Sequence, residues 1–319
     1  MKKFLLLLAT ASLAMLACCT SPVFDDGLLD NLSGNNKIYY TSTDGKKIFP
    51  NTLSNGVDAV LLSNTYKNGR GCMTFDEEVT KIAYLFPSED RLVSVELPNS
   101  LTEIGKNSFY ECENLVEITI PKKVSIVSTS AFTGCTSLPV ENGIRYADNF
   151  LVGVVEKYSD SYTIKNGTKW IGDSAFEDCS SLASINIPNS VTSIGDSAFY
   201  YCTSLTSVTI PNSVTSIGYS SFYKCSSLTS VTIGNGVKTI EDGAFGYCYK
   251  LGVVYCKPIV PPSIHFPKYG HTIPFNSGMK IYVPRNSYDA YTQYSSSMED
   301  ETTPQNWFEY ENYIEPYDF

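Results

Sequence analysis

A phenylalanine that returns every 23 residues constrains the fold of this chain more than any other feature of its sequence. The step runs from Phe86 to Phe132, is interrupted by one gap of 44 residues, and resumes from Phe176 to Phe245. A cysteine follows six of these phenylalanines at the third position. Self-similarity at a fixed period is the signature of a repeat architecture, in which each unit packs against its neighbours.

One unit shows how the repeat is built. Ile185 and Ile187 alternate with polar residues, which predicts a short strand, and Pro188 ends the strand because it has no N–H to donate. Val191 and Ile194 form a second apolar pair before the chain returns to the core at the next phenylalanine. Too few positions are apolar for one unit to fold alone, so the units must stack. The predicted core ladder comprises Phe109, Cys112, Phe132, Cys135, Phe176, Cys179, Phe199, Cys202, Phe222, Cys225, Phe245 and Cys248.

We therefore predict an α+β repeat fold. It is a solenoid of seven to nine coils, with short parallel strands stacked on one side and turns or short helices on the other. Both ends are expected to be capped, because the open ends of the core have to be sealed. The expected parts are a signal peptide at 1–17, a lipidated tether at 18–36, a β-rich N-terminal cap at 37–78, the solenoid at 79–256, and a C-terminal cap and tail at 257–319.

The motifs Cys-x-Ser-Leu-x-Ser-Ile-x-Ile-Pro and Ile-Gly-x-x-Ala-Phe resemble those of the BspA-like leucine-rich repeat family of bacterial surface proteins. The resemblance is close over residues 79–256, and the flanking segments are similar to the terminal pieces of the family. It implies a leucine-rich repeat solenoid that serves extracellular recognition or adhesion. The first unit departs from the pattern, because Glu89 stands where a cysteine is expected and the unit is one residue short.

The gap of 44 residues leaves an insertion of 21 residues near positions 140–160. Residues 146–154 predict a β-hairpin whose turn lies at Asp148 and Asn149. Insertions on repeat scaffolds often carry function. A packed extension of the sheet explains the same segment and is the simpler interpretation.

The N-terminus is typical of an exported lipoprotein. A basic start precedes an apolar run at residues 4–17, which is too short to span a bilayer as a helix and fits a signal peptide. The run leads into a motif that resembles the bacterial lipobox, although Met15 stands where Leu, Val or Ile is usual. The resemblance implies lipidation of Cys18, with Cys19 as the second choice and an ordinary signal peptide as the alternative. We expect an outer-membrane lipoprotein exposed at the cell surface, whose contact with the lipid bilayer is this anchor only.

The composition argues against several classes of function. The net charge is −10 and basic clusters are few, so nucleic acid is not an expected partner. Two histidines, His265 and His271, and the lack of a Cys-x-x-Cys motif leave no pattern for a metal site or a cofactor. Glu96 and Glu117 could face outward on adjacent coils as a carboxylate pair, but two solvated charges are the simpler interpretation. We predict no enzyme activity.

The ladder cysteines are expected to be free thiols. Export favours disulfides. The ladder positions, however, require a small buried apolar side chain, and the parallel Cβ vectors of stacked coils are poorly aimed for a disulfide.

Two surfaces are candidates for binding. The outward strand positions are rich in hydroxyl groups, which suits hydrogen bonding to a polypeptide or glycan and equally suits a merely soluble surface. They are Ser184, Asn186, Ser207, Thr209, Ser230 and Thr232. The second surface is a set of tyrosines beside the Phe-to-Cys turns, which vary while their neighbours repeat; they are either recognition residues or packing residues. They are Tyr200, Tyr201, Tyr219, Tyr223 and Tyr247, with Tyr249 beside them.

From these features we predict a non-catalytic binding protein of the cell envelope. Its repeat surface would serve adhesion or the recognition of a host or extracellular protein or glycan. The alternative is a periplasm-facing scaffold or a glycan-capture lipoprotein. The sequence does not decide whether the tyrosines or the insertion form the binding site.

Overall fold

The computed structural model describes residues 34–51, 56–128, 130–264, 275, 278–292 and 307–319. The predicted signal peptide, Cys18, His265 and His271 lie outside the described residues. Within them, no helix has the length and apolar character that crossing a membrane requires. The described strands are β1 Lys37–Ser42, β2 Leu61–Lys67, β3 Arg70–Phe75, β4 Lys81–Ile82, β5 Leu92–Glu96, β6 Glu103–Ile104, β7 Glu117–Thr119, β8 Ile126–Val127, β9 Val140–Glu141, β10 Ile144–Ala147, β11 Phe150–Val154, β12 Ser161–Thr163, β13 Trp170–Ile171, β14 Ser184–Asn186, β15 Ser193–Ile194, β16 Ser207–Ile210, β17 Ser216–Ile217, β18 Ser230–Ile233, β19 Thr239–Ile240, β20 Val253–Cys256, β21 Ser263–Ile264, β22 Lys280–Pro284 and β23 Ile314–Tyr317.

The chain forms a β-solenoid of about eight turns with parallel stacked strands and few helices, which confirms the predicted repeat fold. Each regular coil has three sides. The front side carries the longer strands, in which Ser207 of β16 pairs with Ser230 of β18. A second side, the side ladder, carries two-residue strands, in which Ser193 of β15 pairs with Ser216 of β17. The paired residues are 23 apart, so one sequence repeat is one coil.

The third side, the turn side, consists of the Phe-to-Cys turns. Backbone hydrogen bonds join the turns of successive coils, as from the N–H of Phe199 to the carbonyl of Ser221 at 2.7 Å. The described helices lie at the ends of the chain instead: α1 spans Tyr288–Thr292, and 3-10 helices span Gly34–Asn36, Arg285–Ser287 and Trp307–Tyr313. Turns or short helices were both predicted for this side, and the regular coils have turns.

The phenylalanine rings stack along the core. Neighbouring rings in the regular coils are nearly parallel, with centroids 4.9 Å apart between Phe176 and Phe199 and again between Phe199 and Phe222. This distance matches the spacing of adjacent strands, so identical side chains stack when coils lie in register. Phe275 extends the stack beyond Phe245 at 5.3 Å. The stack is therefore longer than the 23-residue pattern reveals.

The insertion is a two-sided layer between two stacks of coils, the N-terminal array at 79–138 and the C-terminal array at 161–264. Strands β10 and β11 form an antiparallel hairpin, and β11 pairs in parallel with β13, so the hairpin extends the side ladder. Leu151 belongs to the C-terminal core, whereas Phe150 belongs to the N-terminal core and lies 5.3 Å from Phe132. Successive residues of a strand point to opposite faces, so one hairpin serves both cores.

Both ends of the solenoid are covered. At the N-terminal end, β1 pairs antiparallel with β5 and with β3, and Tyr40 continues the aromatic stack 6.1 Å from Phe86. At the C-terminal end, β22 and β23 extend the front side in parallel. There α1 contributes Tyr291, which is buried and donates a hydrogen bond from its hydroxyl to the carbonyl of Pro258 at 2.7 Å.

Candidate binding surfaces

A ridge of aromatic side chains runs along the turn side of the C-terminal array. We call it the tyrosine ridge, and its members are Tyr200, Tyr201, Tyr223, Lys224, Tyr247 and Tyr249. They occupy the residues between phenylalanine and cysteine, or the residue after the cysteine, in three successive coils. The core fixes both ends of each turn, because the phenylalanine and the cysteine are buried. The side chains between them are displayed on the outside at intervals of one coil.

The rings of the ridge contact one another directly. Tyr200 and Tyr223 lie one coil apart and stack with centroids 5.3 Å apart at an angle of 5°. Tyr201 packs on Tyr200 at 4.7 Å, and Tyr247 packs on Tyr223 at 4.9 Å. Tyr249 meets Tyr247 edge to face at 5.8 Å and is 73% exposed. The result is a continuous aromatic surface.

One cation lies within this surface. The Lys224 ammonium is 4.6 Å from the ring centroid of Tyr201 and 5.8 Å from that of Tyr247, which allows cation–π attraction. It also contacts the Tyr201 hydroxyl, and this hydrogen bond raises the pKa of Lys224. Partial burial raises the pKa of the Tyr223 hydroxyl, which keeps it a neutral donor at physiological pH. The ridge therefore combines aromatic area with a positive charge and hydroxyl donors.

The backbone beneath the ridge is strained. Tyr201, Lys224 and Tyr247 each precede a ladder cysteine, and their φ angles of 59°, 57° and 57° lie in the left-handed region. A residue other than glycine loses about 1–2 kcal/mol there. Gly134 occupies the equivalent position of another coil with φ 83°, so the turn accepts glycine. The same left-handed conformation recurs at this position in other coils, at Ser88, Glu111 and Asp178, so the turn imposes it on whichever residue stands there. The turn therefore does not require the aromatic side chains of the ridge.

Tyr219 is the one tyrosine of the predicted set that the structure separates from the ridge. It is 50% exposed, and among the described residues no ring contact joins it to the others. Its backbone N–H donates to Oδ1 of Asp196 at 2.8 Å, at the start of the turn instead of beside the cysteine. Tyr219 lies near Tyr223 in sequence, which is why the sequence groups it with the ridge. The chain turns between these two residues and separates their side chains.

The hydroxyl-rich positions lie where the strand pattern places them, on the outer face of the front side. Ser184, Asn186, Ser207 and Thr209 are exposed, and Ser230 and Thr232 are half-buried. Their neighbours in each strand point inward to the core, as Val208 and Val231 do. The described residues offer these six side chains no hydrogen-bond partner, so their polar atoms face solvent.

The front side ends in an aromatic patch that sequence reasoning missed. Thr232 pairs in register with Tyr255, and Tyr255 with Tyr282. Two tyrosines therefore follow the outward-facing serine and threonine residues along the front side. The two rings stack at 5.3 Å, and the rings of Tyr317 and Phe319 pack around them. This patch could have been located from the sequence by aligning the strand-then-proline motifs of successive coils.

Glu96 and Glu117 share a small hollow of about 210 Å³ on the front side, near the N-terminal cap. They are not opposite each other, because Glu117 pairs with Ser94 and Glu96 with Thr119. Arg70 forms an ion pair with Glu96, and its guanidinium lies 4.0 Å from the ring centroid of Tyr39. Glu96 is thus engaged as an ion-pair partner. The described residues contain no cluster of His, Cys, Asp and Glu that could hold a metal ion.

The six ladder cysteines are buried free thiols. Most of them donate a hydrogen bond to the carbonyl of a phenylalanine in the preceding coil, as Cys112 does to Phe86 at 2.9 Å and Cys135 to Phe109 at 3.0 Å. Burial raises the pKa of Cys112 to about 12 and that of Cys179 to about 11. The thiolate, which is the reactive form, is therefore scarce at neutral pH. These cysteines stabilise the turns.

Comparison with known proteins identifies the repeats. A family model described as the BspA type leucine-rich repeat region matches residues 71–142 and 156–260, in six copies and over more than half of the chain. No curated protein matches the chain.

Three solved structures of leucine-rich repeat proteins are similar to the chain. The T. pallidum leucine-rich repeat protein is 25% identical over 56% of this chain and 63% of its own, with a TM-score of 0.28. The chain thus spans less than two thirds of that protein. A leucine-rich cell surface protein from Faecalibacterium prausnitzii is 23% identical over 69% of this chain and 67% of its own, with a TM-score of 0.29. A leucine-rich repeat protein from Bacteroides ovatus is 19% identical over 77% of this chain and 90% of its own, with a TM-score of 0.25.

Proposed function

Because this chain belongs to the BspA-type leucine-rich repeat family, we propose that it is a non-catalytic binding protein of the cell envelope that recognises an extracellular polypeptide through the tyrosine ridge. Proteins of this repeat class generally bind proteins or other extracellular molecules and are typically non-catalytic. In this proposal residues 1–17 direct export, Cys18 carries the lipid, and residues 18–36 tether the solenoid at the outer surface of the cell. The regular coils then act as a rigid support for the ridge.

The observation that carries this proposal is the continuous surface of contacting tyrosine rings on three successive coils. The turn does not need these rings, because Glu111, Gly134 and Asp178 occupy the position of Tyr201 and Tyr247 in other coils with the same left-handed backbone. Tyrosine buries a large, rigid contact area at low cost in side-chain entropy, which suits a protein-binding surface. Lys224 supplies one positive charge among the rings, which favours a polypeptide that presents a carboxylate next to apolar or aromatic side chains.

A double variant tests the ridge. Tyr201→Asn and Tyr247→Asn remove both rings and retain a residue type that tolerates the left-handed region. The purified mature protein would be assayed against immobilised collagen, fibronectin and laminin, and we expect the double variant to bind at least tenfold more weakly than the wild type. Tyr158→Asn is the matched control, since Tyr158 is 86% exposed and lies outside the ridge. Equal binding by wild type and double variant, or no binding by the wild type, contradicts the proposal.

Protease treatment of intact cells tests the location. We expect the solenoid to be shaved from the surface, whereas a periplasm-facing protein would be protected. Replacing Cys18 with serine should release the protein from the membrane fraction if this cysteine carries the lipid. Retention of the Cys18→Ser variant in the membrane would contradict the anchor.

A further inference from the structure

The two arrays of coils leave a cavity between them, which we call the corner groove. Its volume is about 570 Å³. One wall is the last coil of the N-terminal array, and the other is the outer face of the side ladder in the C-terminal array. The lining residues that matter here are Lys122, Lys123, Lys169, Trp170, Ser193 and Ser216.

The groove exists because the insertion shifts one array relative to the other. Trp170 pairs in register with Ser193 and so occupies an outward position of the side ladder. It is nevertheless only 4% exposed, because it packs in the N-terminal core together with Phe132 and Phe150. The N-terminal array therefore covers the first strands of this outer face. From Ser193 onward the face is uncovered, and the step between covered and uncovered strands forms the groove.

The charge of the groove is opposite to that of the chain. Lys122, Lys123 and Lys169 line it, and among the described residues none of the three forms an ion pair. Two exposed lysines elsewhere form ion pairs, Lys81 with Glu103 and Lys280 with Glu315. The Lys169 ammonium lies 5.6 Å from the ring centroid of Trp170. In a chain of net charge −10, three ammonium groups around one concave surface concentrate positive potential there.

The floor of the groove, on the side ladder of the C-terminal array, carries uncharged polar residues, whereas the facing wall also carries the exposed apolar side chain of Ile126. The hydroxyls of Ser193 and Ser216 lie 3.0 Å apart and share a hydrogen bond, which leaves further donor and acceptor capacity on both oxygens. Thr192 and Thr215 lie beside them. The strands of this floor are paired on both sides, in the order β19-β17-β15-β13-β11, so no free strand edge is available there for a peptide to extend the sheet. Hydroxyl groups next to cations instead suit a polyhydroxylated anion.

We propose that the corner groove binds an acidic oligosaccharide, with its carboxylate or sulfate groups on the three lysines and its hydroxyls on the serine and threonine floor. This site is independent of the tyrosine ridge and does not rest on the function proposed for it. It gives the protein a second ligand class on a different side of the solenoid.

Binding of defined oligosaccharides to the purified mature protein tests this inference. The probes are a heparin hexasaccharide, which carries sulfate and carboxylate, a hyaluronan hexasaccharide, which carries carboxylate alone, and neutral cellohexaose. We expect at least one acidic probe to bind, with an affinity that falls as salt is raised, and cellohexaose to bind at least tenfold more weakly. Binding of both acidic probes would show that a carboxylate group is sufficient. Binding of heparin alone would show that sulfate is needed.

Two variants assign the binding to the groove. Replacing Lys122, Lys123 and Lys169 together with glutamine should weaken the acidic probe at least tenfold. A control triple replacement of Lys46, Lys47 and Lys67, which are exposed on the N-terminal cap, changes the net charge equally and should stay within twofold of the wild type. Ser216→Trp should block the groove by volume without changing its charge. The melting curve of each variant is first compared with that of the wild type. If the lysine variant does not fold, Ser216→Trp is used to test the inference.

Three results would overturn the inference. The first is equal weakening by the groove and control triple variants, which would mean diffuse electrostatics. The second is cellohexaose binding as tightly as the acidic probes. The third is a polyglutamate peptide of equal charge that binds more tightly than both acidic hexasaccharides, which would assign the groove to acidic polypeptides. Because Tyr201→Asn and Tyr247→Asn leave the groove intact, failure of the ridge proposal would not affect these readouts.

Discussion

The thiol of Cys202 donates a hydrogen bond to the backbone carbonyl of Phe176, which lies 26 residues earlier and one coil away, at 3.2 Å. Cys225 makes the same bond to Phe199 at 3.3 Å, and Cys248 to Phe222 at 3.1 Å. Each carbonyl also accepts the backbone N–H of the cysteine in its own turn, as Phe176 does from Cys179 at 3.1 Å, so the thiol of the next coil is a second donor. The cysteine thus links adjacent coils as well as filling space.

Replacing Cys202 with alanine should destabilise the protein. The change removes the thiol donor to the Phe176 carbonyl, which keeps the Cys179 N–H as a donor, and it leaves a small cavity in a fully buried site, so we expect a loss of about 1–3 kcal/mol. Urea denaturation measures it. The matched control is Cys72→Ala, because Cys72 is half-buried in the N-terminal cap, and its effect should stay within about 0.5 kcal/mol. A Cys202→Ala protein as stable as the wild type would contradict the role of the bond.

Stability should also fall in alkaline solution. The pKa of Cys112 is raised to about 12 and that of Cys256 to about 12, because burial disfavours the thiolate. In the unfolded chain these thiols ionise near pH 9, so above that pH the unfolded state binds fewer protons than the folded state. Their contribution is complete below about pH 9 and is lost as pH rises toward 12, by about 1.4 kcal/mol per pH unit for each thiol.

The comparison of Cys112→Ala with the wild type isolates this effect from the titration of tyrosines and lysines. Urea denaturation at pH 7.5, 9.5 and 10.5 should show a shallower decline for the variant. Parallel declines of the two proteins across this range would mean that Cys112 ionises equally in both states.

The stacked rings provide a second test of the core. Phe199 is fully buried between two parallel rings, so Phe199→Ala should lower the free energy of unfolding by about 3–5 kcal/mol. Phe199→Leu should lose less, because it retains most of the apolar volume. Phe49→Ala is the control, since Phe49 is 75% exposed, and its denaturation curve should overlay that of the wild type. An unshifted curve for Phe199→Ala would remove Phe199 from the core.

The coil itself could be predicted from sequence because its period is strict and its apolar positions are few. The side ladder could not be recognised as strands, because pairs such as Ser193 and Ile194 are too short to show an alternating pattern. Phe150 and Phe275 join the aromatic stack without obeying the period, since the hairpin and the C-terminal cap place them there. Their positions follow from three-dimensional packing.

The candidate sites were predictable to different degrees. Variation between otherwise identical units singled out Tyr201 and Tyr247, but sequence alone could not show the left-handed backbone beneath them. The corner groove had no local signal. Lys123 and Lys169 are 46 residues apart in sequence, and only the folded structure brings them to one cavity.

The two-sided hairpin predicts that the arrays can be uncoupled. Phe150 joins the N-terminal core, while Leu151 joins the C-terminal core. Truncating Phe150 to alanine should therefore loosen the N-terminal array from the hairpin and leave the C-terminal array packed on Leu151. We expect a loss of about 3–5 kcal/mol and an unfolding curve that separates into two transitions.

Hydrogen exchange assigns the two transitions. In the Phe150→Ala variant, amides of β6 and β8 should exchange faster, while those of β17 and β19 should keep their wild-type protection. Uniform acceleration in both arrays would mean that the hairpin does not act as a boundary between two cooperative units.

The strained turns of the tyrosine ridge predict a variant that loses binding without losing stability. Tyr201→Asn removes a bulky residue from a left-handed position, where asparagine is better tolerated, and this gain offsets the lost contacts with Tyr200 and Lys224. We expect the free energy of unfolding to remain unchanged or to rise by up to about 1 kcal/mol. Tyr223→Asn is the informative comparison, because Tyr223 stacks on two rings from an ordinary backbone conformation and should lose stability. If Tyr201→Asn were instead the more damaging of the two, the ring of Tyr201 would be a packing residue, and the binding role proposed for it would fail.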